Sequence, residues 1–66
     1  MKETRVTGAA DIIKALQEGK LLYTTEDKMK YWIYNGVILA RKYDDEDSRV
    51  IINASIDSSK EYWYYD

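Results

Sequence analysis

The 66-residue chain has no cysteine, no histidine, no proline and no phenylalanine, and only three glycines. Without cysteine there is no disulfide to staple a small fold, and without cysteine or histidine the usual zinc ligand sets cannot be assembled. The same two absences remove the common nucleophile and general base of covalent hydrolases. The carboxylates Asp11, Glu18, Glu26, Asp27, Asp57 and Glu61 are scattered beside turns or on the polar face of a helix, the pattern of solvated surface charge. We therefore expect no enzyme, no metal and no other cofactor. Gly8, Gly19 and Gly36 lie too far apart to form a phosphate-cradling loop. No apolar stretch approaches the length of a membrane span. Met1–Gly8 is polar and leads into no secretory apolar core, so the expected location is intracellular, and the initial Met1 fits a complete small open reading frame.

What the chain does have is aromatic mass with polar handles. Seven Tyr and two Trp in 66 residues is a heavy load, and each such ring can bury on the order of 150–250 Å². A chain this short forms a single domain, residues 1–66, whose small core leaves stability marginal unless dense aromatic packing or self-association adds to it. A net charge of −2 and a pI near 5.0 argue against direct nucleic-acid binding, which relies on clustered Lys and Arg.

The first element reads as a helix over Gly8–Glu18. Thr7 is of a type that caps helices, Asp11 sits in the first turn, Ala9, Ile12, Ile13 and Leu16 share one stripe, and Gly19 stops the helix with Lys20 beside its negative end. Residues 1–6 are a charged lead-in without periodicity. Leu21–Tyr23 reads as a short strand, followed by the polar stretch Thr24–Lys30. Asn35-Gly36 then lies between Tyr31-Trp32-Ile33-Tyr34 and Val37-Ile38-Leu39-Ala40, the pattern of a two-residue type I′ hairpin. That turn predicts Tyr34 opposite Val37, Ile33 opposite Ile38, Trp32 opposite Leu39 and Tyr31 opposite Ala40. One face of the hairpin carries Trp32, Tyr34, Val37, Leu39 and Arg41; the other carries Tyr31, Ile33, Ile38, Ala40 and Lys42. Both are hydrophobic, and one helix of about three turns cannot cover both.

Asp44–Ser48 reads as a charged loop, without the alternating ligands, central glycine and distal glutamate of a calcium loop. Arg49–Ala54 is a β-branched run expected to form a strand, Asp57-Ser58-Ser59 is turn chemistry, and Tyr62-Trp63-Tyr64-Tyr65 reads as a closing strand, aromatic on both faces. The fold class is α+β: one N-terminal helix packed on a small antiparallel sheet of four to five strands. The candidate binding surface is Trp32, Tyr34, Leu39, Arg41, Tyr43, Trp63 and Tyr65. We expect the helix to take the opposite hairpin face, where small Ala40 permits close approach.

The segment Ala10–Lys20, with Ala15-Leu16-Gln17-Glu18-Gly19-Lys20 as its word-like piece, followed by a strand, a Tyr-rich hairpin and a closing Trp-Tyr pair, resembles small phage-encoded counter-defence proteins. These are the Thoeris anti-defence 2-like family and related anti-CRISPR-type proteins. The resemblance spans most of the chain in pattern. Where that family commonly carries a basic strand and a Trp after Gly-Lys, this chain has Leu21–Thr25, and no ligand residue carries over. The resemblance implies an inhibitor of bacterial immunity that acts in the cytoplasm of the infected host by stoichiometric binding. It would either block an immune protein or sequester a cyclic nucleotide signal, often as a homo-oligomer. A small structural or regulatory phage protein with no immune role is the alternative.

Overall fold

A computed structural model describes residues 3–56 and 63–65. The turn at Asp57–Ser59 and the ring of Tyr62 lie outside the described residues. The helix, α1 (Ala9–Gln17), starts one residue after Gly8 rather than from a Thr7 cap. No side chain caps it, and the Gly8 carbonyl accepts the first helical bond, from the Ile12 N–H, at 3.1 Å. Its end is a two-bond stop. The Gly19 N–H donates to the Leu16 carbonyl at 3.0 Å and the Lys20 N–H to the Ala15 carbonyl at 3.1 Å. The Gly19 φ of +88° is a backbone region that a side chain disfavours. Ile12, Ala15 and Leu16 form the buried stripe, while Ile13 lies at its exposed margin.

Among the described residues six strands accompany the helix: β1 (Thr4–Val6), β2 (Leu22–Thr24), β3 (Met29–Tyr34), β4 (Val37–Lys42), β5 (Ile51–Ile52) and β6 (Trp63–Tyr65). They form one sheet in the order β1-β6-β2-β3-β4-β5, with every neighbouring pair antiparallel. The sheet therefore has six strands instead of the expected four or five. The additional strand is β1, drawn from the lead-in that carried no periodic signal. β1 and β2 both run antiparallel to β6 and so parallel to each other, with α1 as the crossover between them and β6 inserted in the gap.

The Asn35-Gly36 turn has φ of +52° and +76°, and the β3–β4 register pairs Tyr34 with Val37, Ile33 with Ile38, Trp32 with Leu39 and Tyr31 with Ala40, as the turn chemistry predicts. The polar stretch after β2 is shorter than expected, because Met29 and Lys30 already belong to β3. Thr24 ends β2 fully buried, its hydroxyl donating to Asp27 Oδ1 across the turn. β5 is only two residues long. Asn53, at φ +62°, breaks its regular pairing before the Ala54 N–H returns to the Ile38 carbonyl at 2.9 Å.

The core lies between α1 and one face of the sheet. Val6, Leu22, Met29, Tyr31, Ala40 and Trp63 meet the helix stripe, with Ile33, Ile38, Ala54, Ile56 and Tyr65 packed around them. Tyr31 and Trp63 touch at 4.6 Å between ring centroids. Ala40, 1% exposed, lies on the covered hairpin face, as expected from its size.

Candidate recognition face

Strand alternation and the register together define the opposite face of the sheet. Reading across it, β1 contributes Arg5, β6 Tyr64, β2 Tyr23, β3 Lys30, Trp32 and Tyr34, β4 Val37, Leu39 and Arg41, and β5 Ile52. Four of these strand positions are aromatic, three are aliphatic and three are cationic, and none is acidic. The helix and the packed residues Ala54 and Ile56 lie on the other side. Trp32, Val37 and Leu39 are therefore only half-buried by their neighbours, while Tyr34 is 66% and Ile52 73% exposed.

Three tyrosines form a row at one end of this face. Tyr64 stacks on Tyr23 at 5.4 Å with the planes 25° apart, and Tyr43 meets Tyr23 edge-on at 5.6 Å. Tyr43 lies just beyond β4, where its N–H donates to the Lys28 carbonyl at 3.0 Å and extends the β3–β4 ladder past the strand end. Rings locked against one another lose few rotamers on contact, which makes them suited to rigid recognition.

The acidic loop after β4 is tied to the same end. Arg41 donates to the Glu46 carbonyl, the Lys42 N–H donates to Ser48 Oγ at 3.2 Å, and the Asp47 N–H donates to Asp45 Oδ1 at 3.0 Å. An ion pair at 3.8 Å between Lys28 Nζ and Asp44 is exposed and adds little stability. Four consecutive acidic residues thus stand beside a cationic sheet surface, giving the face a negative rim at one end. Among the described residues no group of His, Cys, Asp and Glu is gathered to hold a metal ion, and no helix is long and apolar enough to cross a membrane.

Of the seven residues that the sequence nominates for a binding surface, Trp32, Tyr34, Leu39, Arg41 and Tyr43 share this face. Trp63 and Tyr65 require correction. Trp63 is 1% exposed in the core, paired with both Val6 and Thr24, and Tyr65 lies on the same helix-covered side, with Lys20 Nζ 5.0 Å from its ring centroid. Their strand is interior to the sheet, so the face they share is the one on which α1 packs. Sequence reasoning passed over Tyr23, Lys30, Tyr64 and Arg5. Lys30 was within reach, because extending the hairpin register past Tyr31–Ala40 pairs it with Arg41. Tyr64 and Arg5 carried no local signal, because their placement depends on the pairing of the two ends of the described chain.

No family model, curated protein or solved structure matches this chain.

Proposed function

We propose that the protein is a stoichiometric binding module that uses the open face of its sheet. In the reading that the resemblance implies, it is a phage-type inhibitor acting in the host cytoplasm on a component of bacterial immunity, without catalysis. The observation that carries the binding reading is the asymmetry of the sheet. One face is packed against α1, whereas the other presents four aromatic, three aliphatic and three cationic strand positions without an acidic one. Uncovered aromatic surface of this kind marks interaction sites, and Trp, Tyr and Arg are the side chains that most often dominate binding energy.

A sheet face also favours one target class over the other. Small ligands are held in concavities that bury about 70–90% of their surface, whereas the groove beside Trp32 is open to solvent rather than enclosed. A protein surface is the better fit for a single copy, and a nucleotide signal would require several copies to enclose it. Self-association through the same face is part of the reading, because a short chain with a small core gains stability by covering apolar surface. A structural or regulatory phage protein without an immune target would use the same face on a different host protein.

The test is native mass spectrometry of the protein purified from its bacterial host, alongside the Trp32→Ala and Tyr34→Ala variants. A retained protein partner, lost in both variants while their folds persist, supports the reading. Partner retention that is indifferent to both substitutions would place recognition elsewhere.

A further inference from the structure

Beside Trp32 the open face runs into a groove of about 410 Å³, lined by Gly19, Lys20, Leu21, Lys30, Trp32 and Ile33. Its position follows from a mismatch in strand length. β2 meets β3 at Leu22–Tyr31 and goes no further, because the preceding residues come directly off the end of α1. The upper half of β3 therefore has β4 on one side and, among the described residues, no strand on the other. The Asn35-Gly36 turn makes Tyr34–Val37 the pair that exchanges both backbone bonds, so alternation turns the peptide groups of Trp32 toward β4 and those of Ile33 toward the groove.

The groove thus combines an available strand edge at Ile33, an apolar wall from Trp32 and Leu21, and two lysines with no carboxylate among its lining residues. Its remaining wall at Gly19 has no side chain and stands at a φ that disfavours one. An exposed strand edge recognises extended backbone, its neighbouring pockets recognise alternate side chains, and its charge selects the opposite charge.

Resting on the reading of the open face as the recognition surface, we infer that this groove takes an extended segment of the partner protein that carries an apolar and an acidic residue two positions apart, so that both side chains fall on the open face. The segment lies along β3 past the end of β2. Its backbone bonds to the Ile33 N–H and C=O, an apolar side chain seats on Trp32 and Leu21, and a carboxylate meets Lys30. Lys20, whose ammonium lies over the Tyr65 ring, borders the same groove and adds to its positive potential.

The experiment titrates isotope-labelled protein with the end-blocked peptide Ser-Glu-Thr-Leu-Thr-Glu-Ser, whose acids and leucine share one face when extended, and with a counterpart in which every acid is Lys, following amide and indole resonances. The acidic peptide is expected to shift the Ile33 amide and the Trp32 indole together. The Lys peptide is expected to give no such shift, and Lys30→Gln and Lys30→Glu should weaken the acidic peptide progressively, by about tenfold or more for the charge reversal. Equal response to both peptides, shifts that leave Ile33 unmoved, or no response overturns the inference. So does short oligothymidylate displacing the acidic peptide from the same resonances, which would make the occupant a single-stranded nucleic acid. Partner binding in the host that survives Lys30→Glu but is lost in Tyr34→Ala would sink the groove alone and leave the open-face reading standing.

Discussion

Tyr31 and Trp32 are consecutive aromatic residues in one strand, and their surroundings are opposite. Tyr31 is buried beneath α1 against Leu22, Ala40 and Trp63, whereas Trp32 lies half-buried among Leu39, Tyr34 and Lys30 on a face with no helix. Hydropathy does not distinguish the two faces, since both are apolar. The difference is steric. Ala40 and the small Ala15 on the helix stripe allow close approach on one side, while Trp32, Tyr34, Leu39 and Arg41 would hold a helix off the other. A sheet that is apolar on both faces thus divides into a folding face and a binding face according to which side leaves room for the helix.

The sharpest way to break this comparison is to cut the same kind of ring from each side. Trp63→Ala on the covered face is expected to cost about 3–5 kcal/mol, enough to unfold a domain of this size, and thermal or urea unfolding would record it. A soluble Trp63→Ala protein with near-normal stability would mean that the covered face is not the core. Gly36→Val, which forces a β-branched side chain to φ near +76°, should cost about 2 kcal/mol, and an unchanged denaturation midpoint would undo the register that separates the faces. Thr24→Val tests the fully buried polar side chain found among the described residues. Losing its bond to Asp27 should cost about 1 kcal/mol, and no loss would show the hydroxyl to be incidental.

On the open face the effects on stability shrink while those on association grow. Trp32→Ala is expected to cost about 1 kcal/mol of stability, well below the Trp63 value, yet to abolish inhibition if the partner contact is as proposed. Sedimentation at micromolar concentration sharpens the same contrast. Wild type should exceed monomer mass, and Tyr34→Ala, which removes an exposed ring, should shift it toward monomer, with stability compared at a dilution where both are monomeric unchanged within about 0.5 kcal/mol. A wild type that is monomeric throughout would leave the face to a different protein alone.

Much of the fold was legible because it rests on local chemistry. The Asn-Gly turn fixes six cross-strand pairs from two residues, and Gly19 stops the helix within a residue of its expected end. The errors lie where pairing is distant or where a single residue breaks a strand. Thr4-Arg5-Val6 has one buried apolar residue and becomes a strand only because Val6 meets Trp63 from the other end of the described chain. Arg49–Ala54 has strong β propensity throughout, but only Ile51–Ile52 pairs regularly, because Asn53 adopts a left-handed conformation and offsets the strand. The candidate surface divides in the same way. Its five hairpin and post-hairpin members follow from the turn, while the facing of Trp63 and Tyr65 depends on their strand entering the middle of the sheet.

That insertion also sets an order of events for folding. The β3–β4 hairpin and α1 are built from near neighbours and close short loops, but among the described residues β1 pairs with β6 alone, more than fifty residues away. On a ribosome, β1 and the gap beside β2 must wait for β6 to arrive, and its arrival joins both parts of the sheet in one step. Until then Leu22 and Val6 have no Trp63 to close over them, so the nascent chain carries exposed core until β6 leaves the ribosome. Substitutions in β6 should therefore slow the final docking step as well as weaken the finished domain, while open-face substitutions leave that step untouched.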